Sequence, residues 1–192
     1  MSARFIIPFG EGEGEEKSLP VLIKRLAPRD LAPSDDRGPV VVRDAWRVGH
    51  LQKLQKDDWR AWRDHLKRAS RMAHTAAVLL VLDGDRPGAV GTPGMCPGAV
   101  AQQMIVAAAE TGAGVTFSLA VVIALREVES WFVAGAESLK GPDIDGRPGL
   151  EPTAQIPGGN LELSLRNAKG WLNYNIHHGV GVATWSPVSR AR

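Results

Sequence analysis

Phe5-Ile6-Ile7-Pro8-Phe9 is an apolar run of strand length that ends at Gly10 and passes directly into Glu11-Gly12-Glu13-Gly14-Glu15-Glu16. Pro8 has no N–H to give to a ladder, so its place in this run predicts an edge, a bulge or an unpaired last position. From Ser18 onward, Leu19, Leu22, Ile23 and Leu26 recur at i, i+3, i+4 and i+7. That spacing predicts a helix capped by Ser18, with Pro20 tolerated in its first turn. The chain opens as strand, acidic glycine-rich turn, helix.

Pro28 to Pro39 is polar and proline-rich and reads as a loop, and Val40-Val41-Val42 reads as a second strand. Between Asp57 and Ala76, Trp59, Trp62, Leu66, Ala69, Ala73 and Ala76 follow at three- and four-residue intervals, predicting a long amphipathic helix that starts on Asp57 and Asp58. Its polar face carries Arg60, Arg63, Lys67, Arg68 and Arg71, a pattern that suits phosphates but is commonly just solvated. Ala77 to Leu82 is the clearest buried strand and stops at Asp83-Gly84-Asp85. After a loop from Arg86 to Gly98 come a helix, Ala99 to Ala109, and a third strong strand, Val115 to Leu125. Val128, Trp131 and Phe132 then suit a helical face. Gly141 to Gly159 reads as loop and Leu161 to Leu172 as a last helix. Strands alternating with helices predict an α/β fold, with a central, mostly parallel sheet flanked by helices.

Composition narrows the function classes. A chain of 192 residues has the size of one domain. A net charge of +2 is too small for a surface that binds polyanions everywhere, so any nucleic-acid contact must be local. Gly 21 and Pro 13 together exceed the usual share and predict long structured loops. The lone Cys96 excludes an internal disulfide and a multi-cysteine zinc site, and suits a reducing compartment; the cytoplasm is expected. Cys96 has no histidine near it in sequence to activate a nucleophile. The first fourteen residues lack the pattern of a signal peptide. The run from Val115 to Leu125 is too short to span a bilayer, so no membrane association is expected.

The chemistry lies in the acids. The C-termini of parallel strands share one edge of a sheet, and three strands here end in carboxylates: Glu11 and Glu15, Asp83 and Asp85, Glu127 and Glu129. Clustered carboxylates without Cys or paired His select a hard cation, Mg²⁺ or Mn²⁺. Such ions support phosphodiester cleavage. The same acids also suit helix N-termini, where Glu13, Glu15 and Glu16 would favour the dipole. Glu11-Gly-Glu-Gly lacks the Lys-Ser/Thr of a P-loop, and Asp83-Gly-Asp85 does not continue as an EF-hand. His177-His178 lacks the spacing of a helical ligand pair. Arg126 and Lys169 are candidate phosphate contacts.

Glu11-Gly12 after one apolar strand and Asp83-x-Asp85 after another resemble the two signature elements of the TOPRIM fold of topoisomerases, primases and related nucleases. Pro8-Phe9-Gly10-Glu11-Gly12-Glu13-Gly14-Glu15, Leu80-Val81-Leu82-Asp83-Gly84-Asp85, Arg126-Glu127-Val128-Glu129-Ser130-Trp131-Phe132 and Asn167-Ala168-Lys169-Gly170-Trp171-Leu172 follow in order. Together they resemble a bacterial TOPRIM-like family catalogued as a domain of unknown function, number forty-two seventy-six. The resemblance implies one TOPRIM-like domain over residues 1–172, followed by a basic, poorly ordered tail over 173–192. It implies Glu11, Asp83 and Asp85 as catalytic residues. Glu11 would handle a proton or share a metal, Asp83 and Asp85 would hold Mg²⁺ or Mn²⁺, and Glu127 would be a further metal ligand, with Glu129 beside it. The implied activity is nuclease-like, in bacterial defence, with nucleic acid as substrate. The alternatives are a catalytically silent module that partners an ATPase and, with the same acidic site, phosphatase or nucleotidyl-transfer chemistry on small phosphates. Two departures stand out. Gly10 occupies an expected apolar strand position, which would loosen the approach to Glu11. Past Leu172 the chain reads Asn173-Tyr174-Asn175-Ile176-His177-His178, where the family continues with a Gln-containing segment and a helix, so a truncated or rewritten C-terminus is expected.

Overall fold

The computed structural model describes residues 2–26, 38–84, 96–125, 127–141, 149–165 and 167–176. Asp85, Arg126 and the tail from 177, with His177 and His178, lie outside the described residues. The chain divides into two compact units, Met1–Arg126 and Glu127–Arg192. Among the described residues no helix is long and apolar enough to cross a membrane.

The first unit is α/β, as the alternation of strand and helix patterns requires. Its five strands, β1 (Arg4–Gly10), β2 (Val40–Val42), β3 (Trp46–Arg47), β4 (Thr75–Leu82) and β5 (Ser118–Ile123), form one all-parallel sheet. The order is β2-β1-β4-β5, and β3 continues the β2 edge along β1. The helices are α1 (Glu13–Leu26), α2 (Leu51–Ser70) and α3 (Pro97–Ala108). The β1–α1–β2 crossover steps to one side of β1, whereas β3–α2–β4 and β4–α3–β5 step to the other. Right-handed crossovers therefore place α1 on one face of the sheet and α2 and α3 on the opposite face.

The core lies on the α2/α3 face. Ile7 and Phe9 of β1 and Val78, Leu80 and Leu82 of β4 alternate inward, where they meet Trp62, Leu66 and Ala69 of α2 and Met104 and Ala108 of α3. Trp62 is fully buried, and its indole N–H donates to the Met104 carbonyl at 2.9 Å. Trp59 packs against the same cluster, so both tryptophans belong to the core. Leu19, the buried apolar residue of α1, lies outside this cluster, as its opposite face requires.

Pro8 is accommodated by a bulge. The N–H groups of Arg4 and Phe5 donate to Pro39 and His74 respectively, so even positions of β1 face the β2/β3 edge and odd positions face β4. The missing donor of Pro8 thus points to the edge. There the ladder passes from Ile6↔Val42 to Phe9↔Trp46, giving the edge one residue more than β1.

Several boundaries differ from those predicted. Helix α1 starts at Glu13, so Ser18 is interior and Pro20 lies inside the helix. The acidic turn supplies the first helical turn itself, which the dipole favours. Helix α2 starts at Leu51 but is broken by left-handed backbone at Asp57, Asp58 and Trp59, so the residues expected to open the helix form its break and its regular second part begins after Trp59. It ends at Ser70 rather than Ala76. His74 is left-handed, and Thr75 Oγ1 donates to the Ala69 carbonyl at 2.8 Å, turning the chain into β4.

The second unit is built from α4 (Glu129–Ala134), α5 (Leu161–Ser164) and α6 (Ala168–Asn175), with Leu150 bridging to Lys140 and Ile176. The helix expected over Leu161 to Leu172 is two helices. Asn167 Oδ1 accepts the Gly170 N–H at 2.8 Å, capping a new start.

Candidate functional site

The direction of winding reverses between β1 and β4, and in open α/β sheets ligands bind in the crevice outside the carboxyl ends of the strands at such a reversal. The register pairs Gly10 with Val81, so Glu11 leaves β1 and Asp83 leaves β4 on the same side of the sheet. Glu11 is buried, at 7% exposure, and Asp83 is half-buried.

The first turn of α1 adds a third acid. Its three glutamates are sorted by their partners. Glu13 pairs with Lys17 at 2.6 Å, and Glu16 pairs with Arg47 of β3 at 2.8 Å, both in solvent. Glu15 turns inward to 7% exposure, and its Oε2 accepts the Gly12 N–H at 2.8 Å. Gly12 is the residue before the helix and Glu15 its third, the glutamate half of a capping box. The arrangement also depends on Gly10, because a Cβ there would stand 2.5 Å from the Glu15 Cβ. Gly10 therefore lets the first turn of α1 close down on the end of β1, rather than loosening the approach to the acids.

Glu15 and Asp83 bring carboxylate oxygens to within 4.8 Å of each other. Among the described residues Glu11 does not belong to that grouping, although it stands at the same sheet edge. Gly84 fixes the other wall, since a Cβ there would collide with the carbonyl oxygen of Ala124. Gly84 can therefore sit tight against the chain at the end of β5. The donors are all carboxylate oxygens, with neither thiolate nor imidazole, and that set fits a hard divalent cation.

The other predicted acids sit in the second unit. Glu127 Oε2 accepts the Lys169 N–H at 3.2 Å, and the Lys169 ammonium stands 3.8 Å from Glu129 Oε1. Two sequence blocks forty residues apart, Arg126 to Phe132 and Asn167 to Leu172, thus meet through Lys169. Cys96 caps α3 with its thiol exposed. Glu15 is the residue that the TOPRIM-like pattern does not single out; the Gly12-x-x-Glu15 spacing is the signal that marks it. No protein-family model, no curated protein and no solved structure matches the chain.

Proposed function

We propose that the protein is a metal-dependent, phosphodiester-acting enzyme of nuclease-like type, with its centre at the carboxyl edge of β1 and β4. The observation that carries this reading is the approach of Glu15 and Asp83 to within 4.8 Å at the reversal of strand order. Asp83 and Glu15 would hold Mg²⁺ or Mn²⁺. Glu11, buried at the same edge, would hold or move a proton, and Asp85 remains a ligand candidate on sequence grounds. A divalent ion bound there supplies an activated water and charge neutralisation for a phosphodiester. The Gly12 N–H holds Glu15 Oε2 at the first turn of α1 and so orients the carboxylate.

The test is incubation of the purified chain with supercoiled plasmid in Mg²⁺ or Mn²⁺. Metal-dependent nicking is expected in the parent, with Asp83→Ala and Glu15→Ala reduced by about a hundredfold. Nicking that survives Asp83→Ala would show a contaminating activity and overturn the reading. Absence of nicking with either ion would leave the silent partner module as the better description.

A further inference from the structure

Two cations at the β2/β3 edge are held over aromatic rings. The Arg43 guanidinium carbon lies 4.9 Å from the centroid of Phe5. That of Arg68, on α2, lies 4.6 Å from the centroid of Trp46, which itself stacks on Phe9 at 5.4 Å. Both covered rings are half-buried and both arginines are exposed, so each guanidinium covers its ring from the solvent side.

The two pairs share one side of the sheet. Phe5 and Phe9 alternate to the same face of β1, the face that carries α2, and Trp46 is in register with Phe9. Val41 is in register with Phe5, and Arg43 follows it by two residues. Four strand residues set the two platforms about 13 Å apart along the edge. The Arg68 end lies toward the acids, because Trp46 precedes Arg47, the register partner of Gly10, and Glu11 follows Gly10.

These charges are not neutralised within the fold. Among the described residues no carboxylate forms an ion pair with Arg43, Arg68 or Lys53, whereas Arg47 pairs with Glu16 and Arg63 with Asp58. Lys53 and Arg68 both stand near enough to His65 to push its pKa down, against Asp64, so Lys53 adds a third exposed cation at the Arg68 end.

We infer that this edge is a track for single-stranded nucleic acid leading to the acidic turn, with bases stacking on the ring-backed guanidiniums of Arg43 and Arg68 and with Lys53 taking a phosphate. The choice of polyanion rests on the proposed activity. The choice of a single strand rests on the rings. A guanidinium already fixed over an aromatic ring has lost its rotamer freedom before binding, and its plane and N–H edge serve a base and a phosphate together. In a duplex the bases are stacked on one another, so a duplex gains only the charge term. A net charge of +2 over the whole chain calls for such a local surface.

Fluorescence anisotropy with a labelled oligonucleotide of about twenty nucleotides tests this on the full chain, in about 50 mM salt with a chelator in place of metal, so no catalysis is needed. The strand is offered as DNA and as RNA, and preference for either over the duplex of the same sequence, by about fivefold or more, is the expected result. Arg43→Lys/Arg68→Lys keeps both charges; it is expected to lose about fivefold or more for the single strand and little for the duplex. Lys53→Ala is expected to weaken both and to lower the salt dependence by about one ion, and it serves if the arginine variant does not fold. No binding of either strand, equal affinity for the duplex, a lysine variant as tight as the parent, or a Lys53→Ala chain with unchanged affinity and salt dependence would each overturn the inference. Binding without nicking would count against the proposed activity alone, and nicking without single-strand preference against the track alone.

Discussion

At the scale of single residues, the candidate site depends on the absence of a side chain as much as on the acids. Gly10 is the last residue of β1, and its missing Cβ is the space into which the Glu15 Cβ fits. Gly10→Ala is therefore expected to cost about 1 to 3 kcal/mol through overpacking, because the contact is with a Cβ and not with the far end of a flexible chain. Urea denaturation followed by circular dichroism measures it; a change below about 0.5 kcal/mol would show that α1 can shift without penalty. Glu15 illustrates how far a sequence can be read at this scale. The acidic turn is legible as acids after a strand, but the same letters serve a helix dipole or a metal equally well. What separates Glu13, Glu15 and Glu16 is the partner each meets: Lys17, the Gly12 N–H, and Arg47 on a strand thirty residues later. Only the local Gly12-x-x-Glu15 spacing carries that information in the sequence. The Arg47 contact depends on tertiary structure.

At the scale of elements, the hydrophobic pattern located β1, β2, β4 and β5 as apolar runs and the body of α2 by its three- and four-residue spacing, because burial is what the pattern records. It missed β3, two residues long, since Trp46-Arg47 is too short to show a period. It also missed the first part of α2, whose left-handed break at Asp57–Asp58–Trp59 interrupts the phase. Helix α2 further carries a pH-sensitive contact. The ring of His65 lies edge-on to Phe9, with centroids 6.1 Å apart. Burial holds its pKa below the ordinary 6.5, Lys53 and Arg68 push it the same way, and Asp64 opposes them. Between the folded and the ordinary value the unfolded chain binds more protons than the native one. The contribution of His65 is thus complete above about pH 6.5 and is lost as pH falls toward the folded value. Stability measured by urea at pH 5 and pH 8 is expected to fall more steeply with acid in the parent than in His65→Gln. Equal slopes in the two proteins would show that His65 titrates as it does in the unfolded chain.

At the scale of the whole molecule, the near balance of charge conceals an uneven distribution. The formal net charge is +2, yet Glu11, Glu15 and Asp83 gather at one sheet edge. A cation that binds there only in the native state adds its binding free energy to the stability of the fold. At a hundredfold excess over its dissociation constant, a single ion stabilises by about 2.7 kcal/mol. For a chain of this size that corresponds to a rise in melting temperature of roughly 5 to 10 °C. The melting temperature of the parent is therefore expected to climb with Mg²⁺ or Mn²⁺ and to remain fixed with the same ionic strength of Na⁺. Asp83→Asn should lose most of that rise. Scanning calorimetry distinguishes these, and it also shows whether the two compact units melt in one transition or two. A parent whose melting is indifferent to both ions would mean that Glu15 and Asp83 face each other for structural reasons. The acids at the strand ends would then be helix caps that happen to converge.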